Sequence, residues 1–143
     1  YLLGILHRKM YIIIQYIYKM TPLQKRFLLF LVGCMGTRIL LTLLAKNMDI
    51  QYLPILGYIA LLPAFGFFYI YVTGSRKTGL EVGGDKIWWN NLRPFHSILY
   101  FLFAYNAITK HANSWKYLAI DTFMGLMAFF SHHYENGSFQ KLM

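Results

Sequence analysis

The sequence predicts an all-α integral membrane protein: four transmembrane helices preceded by an interfacial amphipathic segment. Three observations point there. Hydrophobic residues make up 57% of the 143-residue chain and aromatic residues 19%, while only 13% are charged; an ordinary soluble domain carries about 25% charged residues. A water-soluble domain of this size has too much surface for its volume to hide so much apolar area. Four long apolar runs follow one another between residues 27 and 134. The balance of 14 Lys and Arg against 5 Asp and Glu gives a formal charge of +9. Together with this apolar content, that charge suits a lipid headgroup surface better than nucleic acid.

The elements follow in order. Residues 1–20 form the interfacial segment and residues 21–143 the transmembrane domain. In the first segment Gly4, Arg8, Gln15 and Lys19 share one helical face, with Leu, Ile, Tyr and Met around the rest. Arg8 and Lys9 in its middle oppose spanning, so the segment is expected to lie in the membrane interface. The rival is a strand, because YIIIQYIY at 11–18 is rich in β-branched and aromatic residues. A lone strand beside lipid leaves its hydrogen bonds unmade, which favours the helix. Thr21 and Pro22 end this segment and start the next, since proline is tolerated in a first helical turn.

The predicted spans are residues 27–45, interrupted by Arg38; 53–73, with no charge; 94–109; and 115–134, containing Asp121. A hydrocarbon core of about 30 Å needs about 20 helical residues, so the third run is short. Trp88 and Trp89 are expected at headgroup level, with Asn90, Asn91 and Arg93 in the polar interface and Pro94 starting the third helix. Ten basic residues fall on the side of the two termini and the 74–93 loop, against Lys46, Lys110 and Lys116 on the other. This bias puts both termini on the cytoplasmic side. The single cysteine, Cys34, excludes an intrachain disulfide, and the start at Tyr1 without methionine predicts residues upstream.

Two groups of residues could carry chemistry. With helices alternating in direction, Arg38 and Asp121 share a depth in the non-cytoplasmic half, and Asn106 falls in the same leaflet. An unpaired Arg or Asp near mid-bilayer costs on the order of 2.5–3.5 kcal/mol. Pairing between the first and fourth helices is therefore expected, with Asn106 donating to the carboxylate. The pair reads first as an interhelical clamp and second as part of an ion or proton path. His96, His132 and His133 are expected at the cytoplasmic interface. A haem or metal site there is disfavoured, because adjacent helical residues point about 100° apart and no thiolate accompanies them. No cofactor is expected. TGSRKTG at 73–79 lacks phosphate-loop spacing, GLEVGGD at 79–85 is a turn, and no nucleophilic triad is present. Asn136, Gly137 and Ser138 form a sequon on the side closed to glycosylation. Small residues recur at helical spacing: Gly33 with Gly36, Gly57 with Ala60 and Ala64, and Gly125 with Ala128. They are expected to let helices pack closely.

KIWWNNLRPFHSILYFLFAYNAI at 86–108 and WKYLAIDTFMGLMAFFSHHY at 115–134 resemble small uncharacterised membrane proteins of nucleocytoplasmic large DNA viruses. The most specific part is WWNNLRP at 88–94 with His96. The resemblance implies the lipid membrane beneath an icosahedral capsid, and a structural rather than catalytic role. Expected partners are the bilayer, other virion or membrane proteins, and further copies of the chain. The surface expected to meet them comprises Arg76, Lys77, Trp88, Trp89, Asn90, Asn91, Arg93 and His96. A small oligomeric channel using Arg38, Asp121 and Asn106 is the first alternative, and a membrane-embedded haem or metal enzyme the second.

Overall fold

Capping chemistry at Thr21 separates an isolated first helix from a packed bundle. The computed structural model describes residues 2–79, 82 and 84–142, and these hold five helices. The first, α1 (Leu2–Lys19), buries no residue. It is a helix rather than a strand. The Thr21 side chain accepts from Gln24 N at 3.2 Å while Gln24 Oε1 accepts from Thr21 N at 3.0 Å. This reciprocal pair, with Pro22 behind it, satisfies donors that the first turn of a helix leaves open.

The second helix, α2 (Pro22–Asn47), is continuous but contains a π-helical segment at Leu29–Met35. Its buried residues are Phe27, Phe30, Met35, Arg38 and Ala45. The five-residue step from Phe30 to Met35 is the one that i→i+5 hydrogen bonding brings into line. The third helix, α3 (Leu53–Thr73), matches the expected second span and ends at Gly74, whose φ of 60° is the left-handed conformation glycine adopts freely. Among the described residues, α2 and α3 are long and apolar enough to cross a membrane. The fourth helix, α4 (Arg93–Ile108), has 16 residues, and the fifth, α5 (Trp115–Glu135), has 21.

In the stretch leading into α4, Trp88–Leu92 forms a 3-10 turn whose tryptophans pack against α2 and α5. Trp88, Trp89 and Asn90 are half-buried there. Arg93 is only 3% exposed. It donates to Asn90 Oδ1 at 2.6 Å and to the Arg76 carbonyl at 3.0 Å. The expected interfacial arginine is thus a buried brace for the preceding loop. Of the 79–85 turn, residues 80, 81 and 83 lie outside the described residues. The remainder is tied by an isolated antiparallel bridge between Thr78 and Lys86, and by an exposed Arg26–Asp85 ion pair at 3.0 Å.

Two apolar clusters hold the bundle. One joins α3, α4, the C-terminal end of α2 and the N-terminal end of α5 through Ala45, Leu56, Ala60, Ala64, Phe103, Ala104 and Leu118. The other joins the near end of α2 to α5 through Phe27, Phe30, Met35 and Phe129. The closest approach is between α3 and α4. There a Cβ on Gly57 would stand 2.9 Å from Ile108 Cγ1, 3.0 Å from the Ala104 carbonyl and 3.0 Å from Ala107 Cβ. Ser97 adds a hydrogen bond to the Ala64 carbonyl at 2.8 Å. Gly57, Ala60 and Ala64 thus act as the expected packing stripe, whereas Gly33 has nothing near its Cβ position.

Replacing Gly57 with alanine is expected to destabilise the protein by about 1–3 kcal/mol, as overpacking does. Gly66→Ala in the same helix, with open space at its Cβ position, should be neutral or stabilise by up to ~1 kcal/mol. Thermal unfolding in detergent checks both, and equal effects would contradict the close approach.

Candidate functional site

Between the two apolar clusters three buried polar side chains meet. Arg38 comes from α2, His96 from α4 and Asp121 from α5, with exposures of 8%, 3% and 0%. Each is placed by helical spacing. Asp121 lies three residues after Leu118 and four before Gly125 on the buried face of α5. His96 lies one turn before Tyr100 on that of α4. Arg38 follows Met35 after the π segment.

The Arg38 guanidinium donates through Nη1 to Asp121 Oδ2. His96 Nδ1 stands 2.5 Å from Asp121 Oδ1 and 3.0 Å from Arg38 Nη1. With a proton on Nδ1 the ring donates to Asp121; with Nδ1 bare it accepts from Arg38. Phe67 closes one side, its ring 5.7 Å from Arg38 Cζ and 5.6 Å from the His96 ring. Thr42 and Thr122 each bond back to their own helix one turn earlier, at 2.8 Å, and lie 3.5 Å apart.

The expected meeting of Arg38 and Asp121 therefore occurs, and the expected third member does not. Asn106 donates to the Leu102 carbonyl of its own helix at 2.8 Å and takes no part. It stands ten residues beyond His96 on α4, about 15 Å further along the axis, so depth counting misplaced it. His96 takes the place expected for Asn106, meeting Asp121 rather than grouping with His132 and His133. The sequence signal available was spacing: His96 and Tyr100 share a face.

His132 and His133 belong to a separate aromatic cluster at the near end. Trp88 stacks on His132 at 4.3 Å between ring centroids and 8° between planes. His133 packs against Phe27 and Phe129, each at 4.5 Å. Phe30 stacks on Phe129 at 4.5 Å. The three histidines thus divide between two clusters, and among the described residues no group of three His, Cys, Asp or Glu could hold a metal ion. The residues of the expected partner surface divide likewise. Arg76, Lys77 and Asn91 are exposed, Trp88, Trp89 and Asn90 half-buried, and Arg93 and His96 buried.

A cavity of about 230 Å³ reaches the polar cluster from the near end, lined by Cys34, Arg38, Phe67, Arg76, Trp88 and His96 among others. Comparison with protein families, curated proteins and solved structures returned no match.

Removing one partner of a buried ion pair typically costs about 3–5 kcal/mol, because the survivor is left uncompensated. Arg38→Leu and Asp121→Leu are each expected to destabilise by that order, and the double variant by less than their sum. Additive losses in thermal unfolding would show an uncoupled pair. Asn106→Leu should change stability by no more than about 1 kcal/mol, the net worth of one hydrogen bond.

Proposed function

We propose that the chain is an integral membrane protein with a structural role. In this reading α2 to α5 cross the bilayer, α1 lies in the headgroup layer, and a basic cytoplasmic surface ties lipid to neighbouring proteins. The observation that carries it is an inversion of polarity. Arg38, His96 and Asp121 are buried, while Leu62 is 75% exposed, Phe123 64%, Phe65 58% and Ile98 54% on the outer faces of α3, α4 and α5. Apolar surface on so many outer faces is far more than a soluble monomer exposes. Lipid tails solvate it without penalty.

The short α4 is compatible with this reading. Its 16 residues rise about 24 Å, and the five-residue turn Trp88–Leu92 adds up to about 10 Å. Together they match a hydrocarbon core of about 30 Å. The basic residues gather at the near end, supporting cytoplasmic termini. On α1 the apolar arc includes Leu2, Leu6, Ile13 and Ile17, and Arg8 and Lys19 stand opposite, as suits a helix lying on anionic lipid. The resemblance of residues 86–134 to membrane proteins of large DNA viruses supplies the location we propose, the membrane beneath an icosahedral capsid. Capsid-associated proteins and further copies of the chain are the partners that follow.

A second reading, a small oligomeric proton channel, takes support from the contact between His96 and Asp121, two groups able to exchange a proton. It no longer has Asn106.

In membranes from expressing cells, the chain should resist alkaline extraction. A reagent that cannot cross the membrane should reach cysteines placed at residues 20 and 75, in a Cys34→Ala background, only from the cytoplasmic side. Cysteine at residue 50 labelled from that side would overturn the topology, and alkaline release would overturn the membrane reading. Proton flux through vesicles holding the purified protein, lost in Asp121→Asn, would replace the structural role with the channel.

A further inference from the structure

One ring nitrogen of the buried polar cluster is not used by the cluster itself. His96 bonds Asp121 and Arg38 through Nδ1, and Nε2 has no partner among the described residues. The polar side-chain atoms that are both sealed and unpartnered there are Arg26 Nε and Ser114 Oγ. Nε2 is therefore unsealed, and it opens on the cavity of about 230 Å³ that His96 lines at the near end. We propose that this cavity is a water-filled inlet that brings protons from the cytoplasmic side to His96 and ends there. The proposal rests on the membrane reading above.

Three features specify water as the occupant. Room is the first: at about 30 Å³ per water, the volume holds several molecules. Charge is the second. Arg38 lines the wall, engaged by Asp121 and by the Cys34 side chain. Arg76 lines it too, exposed and with partners of its own. Charges already matched need no ionic guest, but ionisable groups inside a membrane bundle characteristically border water rather than hydrocarbon. The third feature is Nε2, which suits water in either tautomer. With a proton on Nδ1, Nε2 accepts from water and can take a proton from it. With Nδ1 bare, Nε2 carries the hydrogen and donates it to water.

Beyond the cluster the route closes. Toward the far end, Tyr100, Phe103 and Leu118 are buried in the apolar cluster of α3 and α4. The cavity on that side has only about 50 Å³ and is lined by Leu41, Leu56, Ala60, Phe103, Leu118 and the Tyr100 ring among others. Apolar cavities of this kind stay dry. Thr42 and Thr122 each give their hydroxyl hydrogen to a carbonyl of their own helix, so neither passes a proton onward. A proton that enters by the near-end mouth leaves by the same mouth, which distinguishes the site from a channel.

Cys34, the one cysteine of the chain, lines the inlet and reports water access without any substitution. Membranes from expressing cells, sealed with either face outward, are treated with the impermeant anionic reagent 2-sulfonatoethyl methanethiosulfonate, which reacts with thiols in water. Cys34 is expected to react from the cytoplasmic face and not from the other. Thr42→Cys in a Cys34→Ala background is expected to react from neither. In bilayers holding the unsubstituted protein, NMR magnetisation is then passed from water to the histidine rings. The His96 ring is assigned through Phe95–His96, the one Phe–His pair in the sequence. Its signal should rise as early as that of exposed His111. A Cys34 that is unreactive from the cytoplasmic face, or reactive from the other, would overturn the inlet. A His96 signal that rises late, with the buried core, would overturn its inner end. Reaction of Thr42→Cys from either face would overturn the closed end. Release of the chain by alkaline extraction would overturn the membrane reading instead.

Discussion

A carboxylate with no water around it must be matched by a cation or by hydrogen-bond donors, and Asp121 receives both from two other helices. Arg38 supplies the charge and His96 a ring nitrogen, so one oxygen of Asp121 faces α2 and the other faces α4. Sliding or turning any of the three helices separates an ion pair in a low-dielectric interior, where its loss is felt most. That requirement fixes the register of the bundle more sharply than apolar packing can, because leucine and isoleucine faces tolerate small shifts. The π segment of α2 belongs to the same solution. It aligns Met35 with Phe30 and, one turn later, turns Arg38 inward.

Packing on either side of the polar cluster uses two different devices. On one side, Gly57, Ala60 and Ala64 let α3 lie directly on Ala104 and Ala107 of α4. Where lipid replaces water there is little hydrophobic drive between helices, and close van der Waals contact takes over that task. On the other side, large rings fill the space, with Phe27, Phe30, Phe129, Trp88 and the two adjacent histidines in mutual contact. Such rings carry a polar edge as well as an apolar body and so suit the boundary between lipid and water.

Much of the architecture follows from the order of residues alone. Apolar run length and the absence of charge from 53–73 defined α3 to the residue. Thr21 and Pro22 announced a helix start, which the Gln24 side chain completes in the structure. The pairing of Arg38 with Asp121 was also legible, since two opposite charges at equal depth among apolar neighbours have few ways to avoid unfavourable burial. These inferences hold because span length, capping and charge matching depend on local chemistry and on a rise per residue that varies little.

Rotation, and small changes of helical pitch, were decided only in three dimensions. Asn106 lies ten residues beyond His96 on α4, about 15 Å along the axis from the polar cluster, and closes a bond to Leu102 in its own helix. His96 and Arg93 read as interface residues because a proline and two tryptophans precede the third span. In the structure both side chains are buried behind the 3-10 turn at Trp88–Leu92. The π segment adds a fraction of a turn that no hydrophobic pattern announces. Each of these outcomes depends on what the neighbouring helices offer: an aspartate for the histidine to meet, a carbonyl for Arg93, a stack of rings for Trp88. A linear sequence supplies the side chains and their order, but the partner at each bearing exists only once the helices have come together.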